Sequence, residues 1–318
     1  MTTLIPATPA LPDRSVLMYF AAFILLVGGG PVAMRISYAE LQPFWMGLAR
    51  FGLGASAFWA LALYKRMQVP KGRALVGAVL YGTLGIGISF VLLAWGLVKT
   101  TASMAALLMA MVPLMTVLLS FSQGVEAFTV RGLFGSLLAV AGIAVAVGGA
   151  SATDVSLVHI GAILLGTVFL AQAGVVIKRF PPNPPIMTNA VAMTVGAAIL
   201  GAASLIVGES WVIPSRPGTW AALSYLVIFV TILAFMFYLQ VLKKWSASGA
   251  SYGFVIIPLV TVIVAAVLSH EPITTNFLIG AALVLGGVFV GALAPAGKKA
   301  AVTEACKDCS GQVVSRCT

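Results

Sequence analysis

Apolar residues run along this chain in ten stretches of roughly membrane-spanning length, at 16–37, 42–63, 74–97, 102–122, 130–149, 158–178, 187–207, 219–242, 247–268 and 277–295. Short polar clusters separate them. About 20 apolar residues in α-helix cover the ~30 Å of a bilayer's hydrocarbon core, so each stretch predicts a transmembrane helix. None alternates apolar and polar with the period of two that a barrel strand needs. The expected fold is all-α and membrane-integral, with ten transmembrane helices.

The pattern repeats. Residues 102–145 align without gaps on 247–290, with 14 of 44 positions identical, among them Ala102-Ser103 with Ala247-Ser248 and Pro113-Leu114 with Pro258-Leu259. Glu126 recurs as Glu271, Thr129 as Thr274, Gly135 as Gly280 and Gly142 as Gly287. A weaker match at offset 144 pairs Leu26, Gly30, Val32 and Arg35 with Leu170, Gly174, Val176 and Arg179. The polar stretch near residue 150 divides two halves, 16–149 and 158–295, each with five spans. Five is odd, so the second half is expected upside down relative to the first, the inverted repeat of many secondary transporters. Residues 1–15 and 296–318 are expected as cytoplasmic tails.

Composition agrees with the pattern: 61% of residues are hydrophobic and 8% charged, against about 25% charged in soluble domains. The net charge of +10 raises a nucleic-acid partner, which its distribution argues against. With both termini cytoplasmic, fourteen Lys and Arg face the cytoplasm, and Arg35, Lys99 and Arg216 face outward. Such a bias sets orientation. The bilayer, not nucleic acid, is the expected environment, and no cleaved signal is read at the N-terminus. Cys306, Cys309 and Cys317 lie together in the C-terminal tail with no histidine, so no metal and no cofactor is assigned.

No Asp or Glu falls within any span. A membrane enzyme needs an acid, base or metal ligands at its reacting centre, so no catalytic residue is assigned. Gly28-Gly29-Gly30-Pro31 lies midway along the first span; the glycines favour helix poorly and the proline leaves a carbonyl unpaired. Either the helix breaks there and exposes backbone to a cavity, or small residues allow close packing. Arg50 is the one charge clearly inside a span, away from its ends. Burying it costs about 3 kcal/mol, which snorkelling, helix-end carbonyls or an anionic substrate group would offset.

Further polar residues lie at depth. Ser224, Thr231 and Tyr238, spaced by seven, predict one face of the eighth helix. Tyr81 and Ser89 share a face of the third, Gln172 lies in the sixth, and Tyr252 follows the start of the ninth. Together these define a neutral polar cavity with aromatic walls. Each hydroxyl alone also fits a structural bond to its own i−4 carbonyl. Gly135, Gly142, Gly280 and Gly287 are expected to seat the fifth and tenth helices against neighbours, or against a second protomer in a homodimer.

The run Ala102-Ser103-Met104-Ala105-Ala106-Leu107-Leu108, followed by Pro113-Leu114, Glu126, Thr129, Gly135 and Gly142, resembles the EamA domain of the drug/metabolite transporter superfamily. Ser248 to Gly287 resembles a second copy, and Arg35 and Arg50-Phe51 match as well. The resemblance covers about residues 16–295. It implies ten helices in inverted five-helix halves and transport of small metabolites, often outward. It also implies a path lined by helices one, three, four, six, eight and nine, which favours the residues named above. Two positions depart from the pattern: Val27-Gly28-Gly29-Gly30-Pro31 stands where Trp-Gly-Ser-Asn is common, and His270 where glycine is usual. The expected function is a plasma-membrane secondary transporter exporting a small, amino-acid-like or other polar solute by alternating access. Drug or xenobiotic efflux is the alternative, and a non-transporting scaffold subunit stands behind it.

Overall fold

A chain this apolar must satisfy its backbone groups internally, because hydrocarbon offers no hydrogen bonds. Helices are the result. In the computed structural model, which describes residues 14–123, 130–148, 156–244, 253–269 and 273–290, every regular element among the described residues is helical. In order they are α1 (Arg14–Gly28), α2 (Gly30–Ser37), α3 (Pro43–Tyr64), α4 (Arg73–Tyr81), α5 (Ser89–Leu97), α6 (Ala102–Met109), α7 (Val112–Ser122) and α8 (Val130–Gly148). The second half follows with α9 (Leu157–Ile177), α10 (Pro185–Val207), α11 (Pro217–Tyr225), α12 (Ala234–Lys244), α13 (Gly253–Leu268) and α14 (Thr275–Val288). Two stretches, Gly82–Ile88 between α4 and α5 and Leu226–Leu233 between α11 and α12, are wound as π-helix.

Six helical segments are long and apolar enough to cross a membrane: Arg14–Ser37, Pro43–Tyr64, Arg73–Leu97, Leu157–Ile177, Pro185–Val207 and Pro217–Val241. Further apolar helical segments accompany them in α6 with α7, in α8, in α13 and in α14. Local chemistry sets the ends. Pro43, Pro185 and Pro217 open α3, α10 and α11, where a missing N–H costs nothing. Thr101 and Thr274 cap α6 and α14, accepting from the N–H of Met104 at 3.1 Å and of Phe277 at 3.2 Å. Gly208 closes α10 at φ +75°, a left-handed turn that glycine adopts without a Cβ clash.

The first and fourth spans are not the continuous helices that hydropathy predicts. Gly29 separates α1 from α2, and Ala110-Met111 separate α6 from α7. Each break lies two residues before a proline, Pro31 or Pro113, whose ring nitrogen has no hydrogen to donate. Pro258, the repeat counterpart of Pro113, lies inside α13 without a break.

Repeat-related helices pack on each other. A Cβ on Gly142 would lie 2.7 Å from the Gly280 carbonyl, and one on Gly287 would lie 2.6 Å from the Gly135 carbonyl. The backbones of α8 and α14 therefore touch at 142 with 280 and at 135 with 287. One number falls as the other rises, so the two helices are antiparallel. The same holds for α3 and α10, where Gly47 meets Leu200 and Gly54 meets Met193. Gly135 and Gly142 exchange partners with their own repeat copies, the self-complementary pattern of a two-fold axis. The small residues of α8 and α14 thus find their close neighbours within one chain.

Candidate functional site

Between the two halves lies an open-mouthed cavity of about 80 Å³. Its wall is built by α1, α2, α3, α4, α5 and α6 from the first half and by α9, α12, α13 and the second π stretch from the other. Most of the wall is apolar: Phe23, Val27, Met34, Phe90, Leu93, Met109, Leu170, Phe235, Phe254 and Ile257 among others. Phe23, Tyr238 and Phe254 form a triangle of rings with centroids 5.1 to 6.0 Å apart. The polar side chains of the wall are Arg50, Tyr81 and Tyr238.

Arg50 is 2% exposed. Its Nε donates to Thr231 Oγ1 at 2.6 Å, a bond from the first half to the second, and Nη1 reaches the Met34 sulfur at 3.7 Å. The guanidinium carbon lies 4.8 Å from the Phe51 ring centroid and 5.3 Å from that of Phe90. These rings attract a cation through their negative faces. Glu40 and Glu209 are the carboxylates among the described residues, and neither bonds Arg50.

The break in the first span divides between its two readings. Gly30 and Pro31 line the cavity. Gly28 and Gly29 serve close packing instead: a Cβ on Gly28 would lie 2.6 Å from Val260 Cβ, and one on Gly29 would lie 2.6 Å from the Tyr225 hydroxyl. Two carbonyls beside the break bond the second half. Tyr225 donates to the Leu26 carbonyl at 2.7 Å, and Thr261 to the Gly28 carbonyl at 2.7 Å.

The remaining residues singled out from sequence are placed as follows. Ser89 is buried and donates to its own i−4 carbonyl, Gly85, at 2.6 Å; it lines a smaller pocket beside Phe90 and Met109. Gln172 accepts from Gln123 Nε2 at 2.7 Å, tying the residue that follows α7 to α9 and not lining the main cavity. Thr231 is fully buried against Arg50, while Ser224 is exposed. The predicted stripe of Ser224, Thr231 and Tyr238 therefore does not hold as one face. The π stretch runs through it, and i→i+5 bonding takes more residues per turn, so seven residues no longer close two turns. Tyr252, Glu126 and Glu271 lie outside the described residues.

Sequence reasoning missed Tyr225 and Thr261 as partners of the broken helix. Thr261 carried a signal, since it repeats Thr116. Tyr225 carried none, because the Leu26 carbonyl it binds is invisible in sequence.

At the end of the molecule bearing Glu40 and Glu209, carboxylates tie loops together. Glu209 accepts from the N–H of Phe44 at 3.0 Å, from that of Trp45 at 2.6 Å and from Ser204 Oγ at 2.8 Å. Trp45 and Trp211 stack above it, 4.7 Å apart and 9° from parallel. Glu40 accepts from Ser215 Oγ and from the N–H groups of Ser215 and Arg216. The hydrogen bond from Ser215 is the main cause holding the exposed Glu40 carboxyl down at about 2, with Thr219 second. At the other end the corresponding tie is neutral, Asn183 Nδ2 to the Ala74 carbonyl at 2.8 Å.

Comparison with known proteins follows this architecture. The chain is 28% identical to the uncharacterized transporter YyaM of Bacillus subtilis (strain 168), over 75% of this chain and 81% of that protein. It is 28% identical to the uncharacterized inner membrane transporter YedA of Escherichia coli (strain K12), over 80% of this chain and 83% of that one. A solved crystal structure superimposes with a TM-score of 0.65 at 20% identity, covering 88% of this chain and 97% of the other, a likeness of fold. The profile of the EamA-like transporter family matches twice, at residues 14–148 and 157–292. This chain, a multi-pass membrane transporter built from two copies of one helical unit, belongs to the EamA-like transporter family.

Proposed function

We propose that the protein is a secondary transporter of small metabolites, working by alternating access in the plasma membrane and moving its cargo outward. Ten helices cross the bilayer in two inverted halves of five, with both termini in the cytoplasm. The observation that carries this reading is the cavity: both halves wall it, and its one cation, Arg50, is pinned by Thr231 of the opposite half. A site shared in this way changes when the halves rock against each other. The antiparallel contacts of α8 with α14 and of α3 with α10 support the inversion, and the bias of Lys and Arg supports the orientation. Outward direction follows from the family resemblance.

The aromatic and methionine wall favours a second reading, efflux of drugs or xenobiotics. Arg50 opposes it for lipophilic cations, since a like charge in the cavity repels them.

Purified full-length protein in proteoliposomes tests both readings. Flux of at least one small metabolite, dependent on the protein, is expected. Absence of flux for amino acids, organic anions, sugars, nucleosides and cationic drugs, with correctly folded protein, would overturn the transporter mechanism. Cysteines engineered near Arg216 and near Lys65 test the topology: in intact cells an impermeant reagent should label the first and spare the second.

A further inference from the structure

We infer that the cavity takes an organic monoanion with an apolar, aromatic-sized body, its carboxylate seated on Arg50. This rests on the transporter reading above and names its cargo class.

Arg50 is buried, charged and without a counter-charge among the described residues. Arginine does not deprotonate in proteins, so it cannot neutralise itself as a buried lysine does. All eight acidic residues of the chain, Asp13, Glu40, Glu126, Asp154, Glu209, Glu271, Glu304 and Asp308, lie outside the ten predicted spans. Glu40 and Glu209 are moreover engaged in loops. Among the described residues, then, no carboxylate pairs with Arg50. Thr231 and the Met34 sulfur occupy Nε and one Nη1 position, and Nη2 donates to no described residue. A planar fork with open donors is the usual seat of a carboxylate.

The rest of the cavity defines the body of the cargo. Phe23, Phe90, Phe235 and Phe254 line it. Among the described residues no acidic side chain lies in the wall to pair an ammonium group; the aromatic faces attract a cation only weakly by comparison, and Arg50 repels one. A zwitterionic amino acid would leave its ammonium without an ion partner, which is costly at low dielectric. The amino-acid-like cargo expected from sequence thus narrows to the deaminated class, an acid carrying one negative charge and an apolar group.

The test holds the skeleton constant and varies the charge. Purified full-length protein is titrated with phenylpyruvate, phenylalanine, phenethylamine, 3-phenylpropanamide and sodium chloride, following ligand-induced thermal stabilisation. Phenylpyruvate is expected to bind about 10-fold or more tighter than the zwitterion, the cation and the neutral amide, the range of a hydrogen bond to a charged group. Arg50→Gln should abolish the preference, and Arg50→Lys should retain part of it. Should the glutamine variant fail to fold, the wild-type ranking decides alone. Equal binding of the neutral amide, a preference surviving Arg50→Gln, or chloride reproducing the full stabilisation would overturn the inference. Flux is measured separately with the same panel in proteoliposomes. Flux without anion preference overturns this inference and leaves the transporter reading standing; anion-selective binding with no flux of any compound overturns transport and leaves the site.

Discussion

Glu209→Ala should loosen the α3–α10 pair at the end where the loops are tied by carboxylates. The first-turn N–H groups of a helix have no partner inside it, and for α3 the Glu209 carboxylate supplies one to both Phe44 and Trp45. A hydrogen bond to a charged group contributes about 1.5–3 kcal/mol when well buried, and a negative charge at a helix N-terminus about 0.3–1 kcal/mol. Glu209 is half-buried and its bonds share one carboxylate, so the terms do not add in full. Alanine should cost about 2–4 kcal/mol. Glutamine keeps one acceptor oxygen and loses the charge, so it should cost roughly half as much. Equilibrium unfolding in mixed micelles, followed by tryptophan fluorescence, reads both; the stacked Trp45 and Trp211 report from the site itself. An alanine variant within about 0.5 kcal/mol of wild type, the range of an ordinary surface change, would refute the capping role. So would a glutamine variant as damaged as alanine.

Three other expectations use the same unfolding measurement. The carboxyl of Glu40 is held at about 2, below its ordinary value of 4.5, so its contribution is fully present above about pH 4.5 and lost as pH falls through about 2. The wild-type margin over Glu40→Gln should shrink across that window, and a margin independent of pH would contradict it. Gly142→Ala should cost about 1–3 kcal/mol, because its Cβ meets the backbone of α14, which cannot yield as a side chain does. Gly52→Ala, facing open space, should be neutral or stabilising by up to about 1 kcal/mol, and equal costs at the two positions would remove the contact from the explanation. Asn189 is 0% exposed, with neither amide atom partnered among the described residues. Leucine, with the same branching, should be neutral or stabilising by about 1–2 kcal/mol, and a loss above that size would show that the amide has a partner.

The fold was legible where periodicity and repetition carry it. Hydropathy located α3, α9 and α10 to within a few residues, since a span's length is dictated by the bilayer. The matched glycines of α8 and α14 announced a close contact but left its partner open, because small residues look alike against any neighbour. The π stretches were illegible. Gly82–Ile88 and Leu226–Leu233 fall at equivalent places in the two halves, yet at offset 144 only Ile88 and Ile232 are identical. Nothing in those residue types signals i→i+5 bonding, and its effect was to turn Ser224 away from the face it shares with Thr231 by α-helical arithmetic. Arg50 stood out in sequence for its cost, but its bond to Thr231 depends on how two halves meet, which no local pattern states.

The two halves share a plan and differ where the plan is used. The first span is broken at Gly29, while its counterpart α9 is continuous. At offset 144, Gln172 stands where the first copy has Gly28, and it bonds Gln123 within a neighbouring helix pair. Among the described residues, the joints between the halves near the cavity include two neutral bonds, from Tyr225 and Thr261 to carbonyls at the break, together with the charged bond from Arg50 to Thr231. Neutral bonds contribute about 0.5–1.5 kcal/mol each, and a two-state machine requires conformers within a few kcal/mol of each other. The neutral joints meet that requirement, so the break can part from the second half at modest cost. Arg50 is the stronger hold, and an anion on its open donors would sit on the same guanidinium that Thr231 holds at Nε. The proposed cargo and the charged joint between the halves thus meet on one side chain, with the repeat supplying the two orientations and Arg50 the link between them.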